Sequence, residues 1–553
     1  MPNSSKNRPS KAEVKLKPLS ESNFRVAQIP DSSRRAVKDQ LHKSVTDSFE
    51  YFDALSYKYC EVLAVVIFVV LQCVVSTGHY SGHNTPPMFG DFEAQRHWME
   101  ITVHLPPEEW YVNSTKNDLN YWGLDYPPLT AYHSWLLGKI SEQLNPTWVA
   151  LTISRGIEAP HHKLFMRLSV VISMTLLYAP AVLLFMREVA AKLKPVDRFQ
   201  FLVAALCYPG LIFVDNGHFQ YNHIALALFL WSVWHFEKRR YLLGSLLFVL
   251  ALNFKQMELY HALPIFVFLL SRSVSRRGAI LERVTTSLCN LTKLGATVVL
   301  PFALLWFPFL ISFSDGGIRL NVDLTLKVLR RLFPLSRGVF EDKVANFWCC
   351  VSVVFKFKNL YSNETLALIS ATMVLASVVP SLLILLKYPS DRNFRASLVI
   401  SSLSFYLFSF QVHEKTILMV AIPALLMLSE MPQAIPWFLS VSMFSMYPLC
   451  IKDNMPEILP LFITYHFFSS SIIAVEKSRT NMVISYLRLF NFVIAMLICA
   501  LLLFATPPAR YPHLFDMFNA LFSFAHFSMF WLYLNARLIH WNCFKATGKV
   551  KVS

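Results

Sequence analysis

Apolar runs long enough to cross a bilayer recur from Cys60 to about residue 541 of this chain, which removes most soluble architectures. A span needs about twenty mainly apolar residues because the hydrocarbon core is about 30 Å thick. Inside that core the backbone must satisfy its own hydrogen bonds, so consecutive apolar runs of this length read as helices. Only 16% of the 553 residues are charged and 54% are hydrophobic, against roughly a quarter charged in a soluble protein. The expected class is an all-α polytopic membrane protein.

The formal net charge of +16 raises the possibility of a nucleic-acid partner. The basic residues, however, cluster in short loops between apolar runs, as the positive-inside rule requires. The bilayer is the expected partner and nucleic acid is not. The polar, basic stretch 1–59 has no apolar core that could act as a cleaved signal, and it reads as a disordered cytosolic tail. The nine cysteines are scattered through apolar runs, with no metal-type pair, so no metal site is expected from them.

With a cytosolic N-terminus and a first span at 60–77, the segment 78–165 becomes a large first lumenal loop. Its piece "LTAYHSWLLGKISEQL" is apolar on one face only and reads as an interfacial helix. Further spans follow at about 166–187, 199–215, 222–236, 240–253, 256–271 and 284–312. After them come 367–387, 395–411, 415–429, 433–450, 457–475, 484–504 and 513–541, about fourteen spans in all, leaving 542–553 as a cytosolic tail. The loops "AKLKPVDR", "EKRR", "RSVSRR", "KYPSDRNFR" and "EKSR" all fall on the cytosolic side, whereas "DNGHFQYN" contains no Lys or Arg and falls opposite. Residues 313–366 form a second lumenal loop, in which "ANFWCCVSVVF" (345–355) is re-entrant or packed on the lumenal side. The sequons at Asn113 and Asn363 land in the lumen and those at Asn3 and Asn290 in the cytosol. The terminal "KVKVS" resembles a dilysine retrieval signal, which is read from the cytosol.

This threading gathers acids, histidines and amides beside aromatic residues on the lumenal face. They are Asp91, Glu93, Arg96 and His97; Asp125; Asp215, His218, Gln220 and Asn222; Lys255, Gln256 and Glu258; Arg337, Glu341, Asp342 and Lys343; and His413, Glu414 and Lys415. Ionisable residues at span ends, against apolar surface, are candidates for function. Each also has a plain structural role open to it. Asp91 could cap a helix starting at Phe92, Arg337 and Glu341 could form an ion pair, and His97, His218 and His413 could be interfacial or capping groups. Asp125 in "LDYPP" could belong to a rigid entry into the next helix. A transporter would carry polar residues at the bilayer midplane, often with internal repeats. Here the spans are nearly uncharged and no repeat is found, so an enzyme acting on a membrane-borne substrate is the better reading.

The stretches "GDFEAQRHWMEIT", "YWGLDYPPLTAYHSWLLG", "DNGHFQYN", "NFKQMELYH", "RLFPLSRGVFEDKVANFWC" and "FSFQVHEKTIL" together resemble the lipid-linked-oligosaccharide glucosyltransferases of the endoplasmic reticulum. The resemblance is strongest from about Gly78 to Leu418 and is topological elsewhere. It implies a GT-C fold, dolichyl-phosphate glucose as donor, a dolichol-linked oligosaccharide as acceptor, and no metal or other cofactor. The forms "SFQVHEKTIL" and "DYPPLTAYHS" look more like the member that adds the first glucose to Man9GlcNAc2-diphosphodolichol than the sister that adds the second. The implied reaction makes an α-1,3 bond with inversion, which requires one general base. The resemblance puts that base at Asp91, with Glu93, Arg96 and His97 as its supporting shell. The departing phosphate needs positive charge, for which Lys415, His413, Arg337 and Lys343 are the candidates. His218, Gln220, Asp125, Glu341, Asp342 and Glu414 would then bind substrate or hold those cations.

Overall fold

The computed structural model describes residues 57–189, 195–275, 278–314, 317–333, 343–471 and 482–547. Arg337, Glu341 and Asp342, residues 1–56 of the expected N-terminal tail and 548–553 of the expected C-terminal tail lie outside the described residues. Among the described residues, eight helices are long and apolar enough to cross a membrane. They are Tyr59–Thr77, Pro160–Val189, Asp197–Phe219, Ile280–Leu310, Asn363–Lys387, Ala434–Lys452, Tyr486–Phe504 and Leu514–Cys543, and each overlaps an expected span. The other six expected spans are helical but shorter or more polar: Asn222–Glu237, Tyr241–Phe254, Leu259–Ser273, Asp391–Phe408, the pair Glu414–Ile417 and Leu418–Leu425, and Leu459–Ser471.

One short element departs from the all-α expectation. Ile311–Ser314 pairs antiparallel with Gly317–Leu320, directly after the Ile280–Leu310 helix. Four-residue strands are too short to leave a readable alternation in the sequence. The segment 345–355 supplies only a five-residue helix, Phe347–Val351, in which Asn346 accepts from the Cys349 N–H. Its Trp348 is buried and donates its indole N–H to the Phe408 carbonyl at 2.8 Å, so the segment is packed against the following helices.

Among the described residues Pro160–Val189 carries a π-helical stretch at Met174–Tyr178, and two other spans have interruptions that matter later. Pro209 has no N–H to continue the Pro195–Leu206 helix, so a new turn, Pro209–Ile212, begins there and runs into a π-helical stretch, Phe213–Phe219. Pro448 likewise opens the short helix Tyr447–Lys452 after Ala434–Ser445. π-Helical insertions are rare and concentrate at functional sites. The π-helical stretch Phe213–Phe219 carries His218 next to its end, and the short α-helix opened by Pro448 leads onto Asp453.

The helix Pro128–Leu144, started by a proline at its first position where no N–H is needed, reverses the usual soluble pattern. Its buried side is small: Ala131, Ser134, Gly138 and Ser141. Its outward side is Trp135, Leu136, Ile140 and Leu144. The segment expected to be an interfacial helix is thus a helix with one apolar side turned outward. The small side lets it lie close on the helix Asp91–His104, where a Cβ at Gly138 would stand 2.6 Å from Val103 Cγ2 and 2.9 Å from the Met99 carbonyl oxygen. A Gly138→Leu substitution should therefore push the two helices apart and destabilise the protein by about 1–3 kcal/mol, seen as a lowered melting temperature in detergent. An Ile140→Leu change on the outward side should leave it unaltered.

Candidate functional site

Asp91 opens the helix Asp91–His104, and its role follows from what its side chain does there. The capping position is Gly90, which makes no side-chain cap bond. The Asp91 carboxylate is not spent on capping. Its backbone N–H donates to Ser81 Oγ at 3.2 Å. Gly90 passes so close to Ser81 that a Cβ would lie 2.6 Å from the Ser81 carbonyl. The chain thus enters the helix along one fixed path. Three donors from distant parts of the sequence then converge on one oxygen, Asp91 Oδ2: Lys415 Nζ at 2.5 Å, His218 Nε2 at 3.0 Å and the Gln220 side-chain amide. Among the described residues each hydrogen bond to the carboxylate uses Oδ2, and about a fifth of the side chain stays exposed. Oδ1 is therefore the oxygen left to meet a substrate. Burial alone would raise the Asp91 carboxyl, but the charges of Lys415 and His218 outweigh it and hold the group well below the usual range.

Each donor is held from behind. His218 lies in the π-helical stretch, where the buried Arg167 donates to the carbonyls of Asn216 and Gly217 and, at 2.8 Å, to that of His79. The next residue, Phe219, has φ +87°, a left-handed conformation that L side chains adopt only under constraint. The far nitrogen of the ring, Nδ1, lies 2.6 Å from Asp453 Oδ2. Lys415 follows the turn containing His413 and Glu414, at the start of the Leu418–Leu425 helix. That helix is tied down by His261, whose Nε2 bonds the Met419 carbonyl at 2.8 Å while Nδ1 faces Glu258 at 2.8 Å.

The orientation of the Gln220 amide is settled by its other end. Gln220 Oε1 accepts from Asn222 Nδ2 at 2.9 Å and from Lys255 Nζ at 3.3 Å, so the NH2 end must face Asp91. Asn222 is in turn fixed by Asp215 Oδ1 at 2.7 Å and by Lys255. Burial, and then the charge on Lys415, pull the Lys255 ammonium down to about 8. Its Nζ also stands 4.9 Å over the Tyr126 ring, next to Asp125. The Asp125 carbonyl accepts from Gln256 Nε2 at 3.0 Å. Behind Asp215, His223 Nδ1 at 2.8 Å and Ser173 Oγ, 2.7 Å from His223 Nε2, complete a Ser–His–Asp row. Ser173 also donates to the Ser169 carbonyl at 2.7 Å, and His223 is wholly buried. The row is a polar brace inside the bundle.

The remaining expected residues divide. Glu93, Arg96 and His97 do not surround Asp91. On a helix they stand about 200°, 140° and 240° around from it, and their recorded contacts lie on that other side. Arg96, fully buried, bridges Glu93 at 2.6 Å and Glu100 at 2.7 Å and donates to Ser154 Oγ at 2.5 Å. Tyr121 O–H donates to Glu93 at 2.7 Å. Burial would raise Glu100, but the contact with His97, the Arg96 charge and the Thr152 N–H bring it to about 2. This network holds the 150–154 turn against the helix. His413 and Glu414 stay half-buried beside Lys415, and Lys343 is half-buried near Cys349. Asp453 and Arg167 were not singled out from the sequence. The turn 451–456 falls on the site's side of the threading, so its lone acid was a usable signal. Arg167 lies at a span's edge, where a basic residue attracts no notice. Among the described residues no three His, Cys, Asp or Glu side chains gather in a way that could hold a metal ion. The acids of the site are met by Lys415, His218 and Lys255.

A family model described as the ALG6, ALG8 glycosyltransferase family matches residues 64–533. A probable dolichyl pyrophosphate Man9GlcNAc2 alpha-1,3-glucosyltransferase of Caenorhabditis elegans is 43% identical over 509 residues, covering 92% of this chain and 94% of its own. The Gallus gallus dolichyl pyrophosphate Man9GlcNAc2 alpha-1,3-glucosyltransferase is 41% identical over 522 residues, covering 89% and 98%. A probable enzyme of the same name from Schizosaccharomyces pombe is 37% identical over 504 residues, covering 90% and 94%.

Arg167 provides a test of how the site is held. Arg167→Ala leaves the carbonyls of Asn216, Gly217 and His79 without their donor, at about 1–3 kcal/mol for each one left unpaired, and should lower the melting temperature clearly. The ion pair at Asp91 has its own pH signature. Its folded value is depressed below an unfolded value of about 3.9, so its stabilisation is complete above that pH and is lost as pH falls through the folded value. In Asp91→Asn, that part of the acid-induced loss of stability should disappear from a pH series of melting temperatures.

Proposed function

This chain belongs to the ALG6, ALG8 glycosyltransferase family, and we propose that it moves glucose from dolichyl-phosphate glucose to Man9GlcNAc2-diphosphodolichol. The new bond is α-1,3, formed with inversion, and this is the first glucose on the N-glycan precursor. The relatives' names, which specify Man9GlcNAc2 and an α-1,3 linkage, support the acceptor and the linkage. The observation that carries the mechanism is the Asp91 carboxylate, with one oxygen engaged by Lys415, His218 and Gln220 and the other left to a substrate.

In this mechanism Asp91 Oδ1 takes the proton of the attacking mannose 3-hydroxyl while the sugar oxygen bonds to the glucose C1 from the side opposite the leaving group. The C1–O bond to the phosphate breaks, and its electron pair leaves with dolichyl phosphate. Lys415, 2.5 Å from Asp91, receives the growing negative charge, because a fixed cation beside a departing phosphate stabilises the transition state more than the ground state. His413 and Lys343, together with Arg337, are further candidates on the phosphate side. Asp125, Glu414, Glu341 and Asp342 are candidates for sugar hydroxyls or for holding the cations. The wider reading is a GT-C enzyme of about fourteen spans over 60–541, in the endoplasmic reticulum membrane, with its active site in the lumen and both termini cytosolic. Asn113 and Asn363 are both exposed, which suits glycan attachment.

Reconstituted enzyme assayed with dolichyl-phosphate glucose and lipid-linked Man9GlcNAc2 tests the reading directly. Wild type should transfer glucose to this acceptor in preference to the monoglucosylated one. Asp91→Asn should still bind donor yet lose transfer by about 10³-fold or more; turnover near the wild-type rate would remove Asp91 from the role of base. Lys415→Met should cost about 10²–10³-fold in kcat. An endoglycosidase-sensitive mass shift that disappears in Asn113→Gln would support the lumenal side for 78–165; sugar on Asn290 would overturn the threading.

A further inference from the structure

Asp453 has no part in the mechanism above, yet it makes one of the shortest polar contacts of the site. Its carboxylate is buried, with a side chain 3% exposed, and lies 2.6 Å from His218 Nδ1. It is presented by the turn after the interrupted span, where Asp453 N–H donates to the Leu449 carbonyl at 3.0 Å and the following Asn454 takes φ +56°. We propose that Asp453 is a positioning residue of the transfer reaction, keeping His218 a doubly protonated cation whose Nε2–H orients Asp91 beside Lys415. The proposal rests on the glucosyl-transfer reading above.

A carboxylate oxygen only accepts, and the His218 ring lies between two of them, with Nδ1 on Asp453 and Nε2 3.0 Å from Asp91 Oδ2. Both contacts are hydrogen bonds only if both ring nitrogens carry a proton. The competing arrangement is a neutral ring whose Nε2 accepts from Lys415 Nζ at 3.1 Å. That would leave two carboxylates against one ammonium, a net negative charge around a ring that is 4% exposed. With imidazolium the four groups in direct contact sum to zero, and each carboxylate facing the ring accepts from a protonated nitrogen. The other charges facing the ring or its partners are Arg167, bonded to the backbone of Asn216 and Gly217, Lys255 through Gln220, and Glu414 beside Lys415.

The charge count also fits the reaction. Proton transfer to Oδ1 neutralises Asp91 while the leaving phosphate gains one negative charge, so the negative charge moves and the total does not change. A fixed cation pair, Lys415 and His218, faces Asp91 before the step and the phosphate after it. A neutral His218 would supply only half of that pair.

Asp453→Asn keeps the shape and an oxygen for Nδ1–H but removes the charge. The expected result is a kcat lowered by about 10–100-fold at neutral pH, with the alkaline fall of the kcat profile moved about 1–2 units toward acid and activity partly recovered on acidification. The KM for donor should change little, and Asp453→Glu should restore most of the rate. A folded Asp453→Asn whose pH profile overlays the wild type overturns the proposal. So does a loss that is equal at every pH, tracks a lowered melting temperature and is not relieved by Asp453→Glu. Protein labelled with ¹⁵N-histidine gives a readout independent of turnover. The resonances assigned by their absence in His218→Gln should be those of an imidazolium at neutral pH in wild type and of a neutral ring in Asp453→Asn; a neutral wild-type ring refutes the idea. Wild type that transfers no glucose from this donor would instead count against the proposed function, and the ring's protonation would still be read.

Discussion

The convergence on Asp91 Oδ2 joins residues 127, 129 and 324 positions away in the chain. An ammonium and an imidazole cannot be gathered round one carboxylate oxygen by local folding, so the helices must first dock correctly. The energetic logic is that of partly buried ion pairs, where removing one partner costs more than the pair contributes, because the other charge is left poorly solvated. The clusters that looked separate along the sequence are therefore mutually dependent. The Lys415 turn, the π-helical stretch and the first loop helix each supply a charge or dipole that only the others can balance.

That dependence explains why so much of the surrounding structure serves to fix angles. Arg167 ties down the carbonyls before His218, and the Asn222–Lys255 pair turns the Gln220 amide the right way round. His261 and Glu258 tether the helix that follows Lys415. None of these groups needs to meet a substrate. Each removes a rotational freedom from one that would.

The sequence carries an expectation for the side of the chemistry, because short basic loops alternate with a lysine-free turn and charge placement across a bilayer follows a simple rule. Helix positions were readable because apolar runs are long. Partnerships inside the site were less so. Glu93, Arg96 and His97 stand near Asp91 in sequence, yet helical periodicity turns them to the opposite side, where they form their own network with Glu100. The wheel was available from the sequence alone and separates the two groups. The π-helical stretch ending at Phe219 was not foreseeable, since nothing in "FVDNGHF" distinguishes it from an ordinary helix end. Without it the pairing of His218 with both Asp91 and Asp453 does not follow. The hairpin after Leu310 was equally hidden, its strands being too short to show a period.

The reversed helix Pro128–Leu144 bears on the placement of the Asp91 helix. Its small side clasps the helix that begins with Asp91, and its large apolar side chains face outward, where lipid rather than water suits them. On the proposed threading, that outward side would moor the loop carrying the acid to the membrane surface like a hull at its waterline. The height of the carboxylate would then be referenced to the bilayer itself, the same datum that fixes the height of any phosphate hung from a lipid anchor.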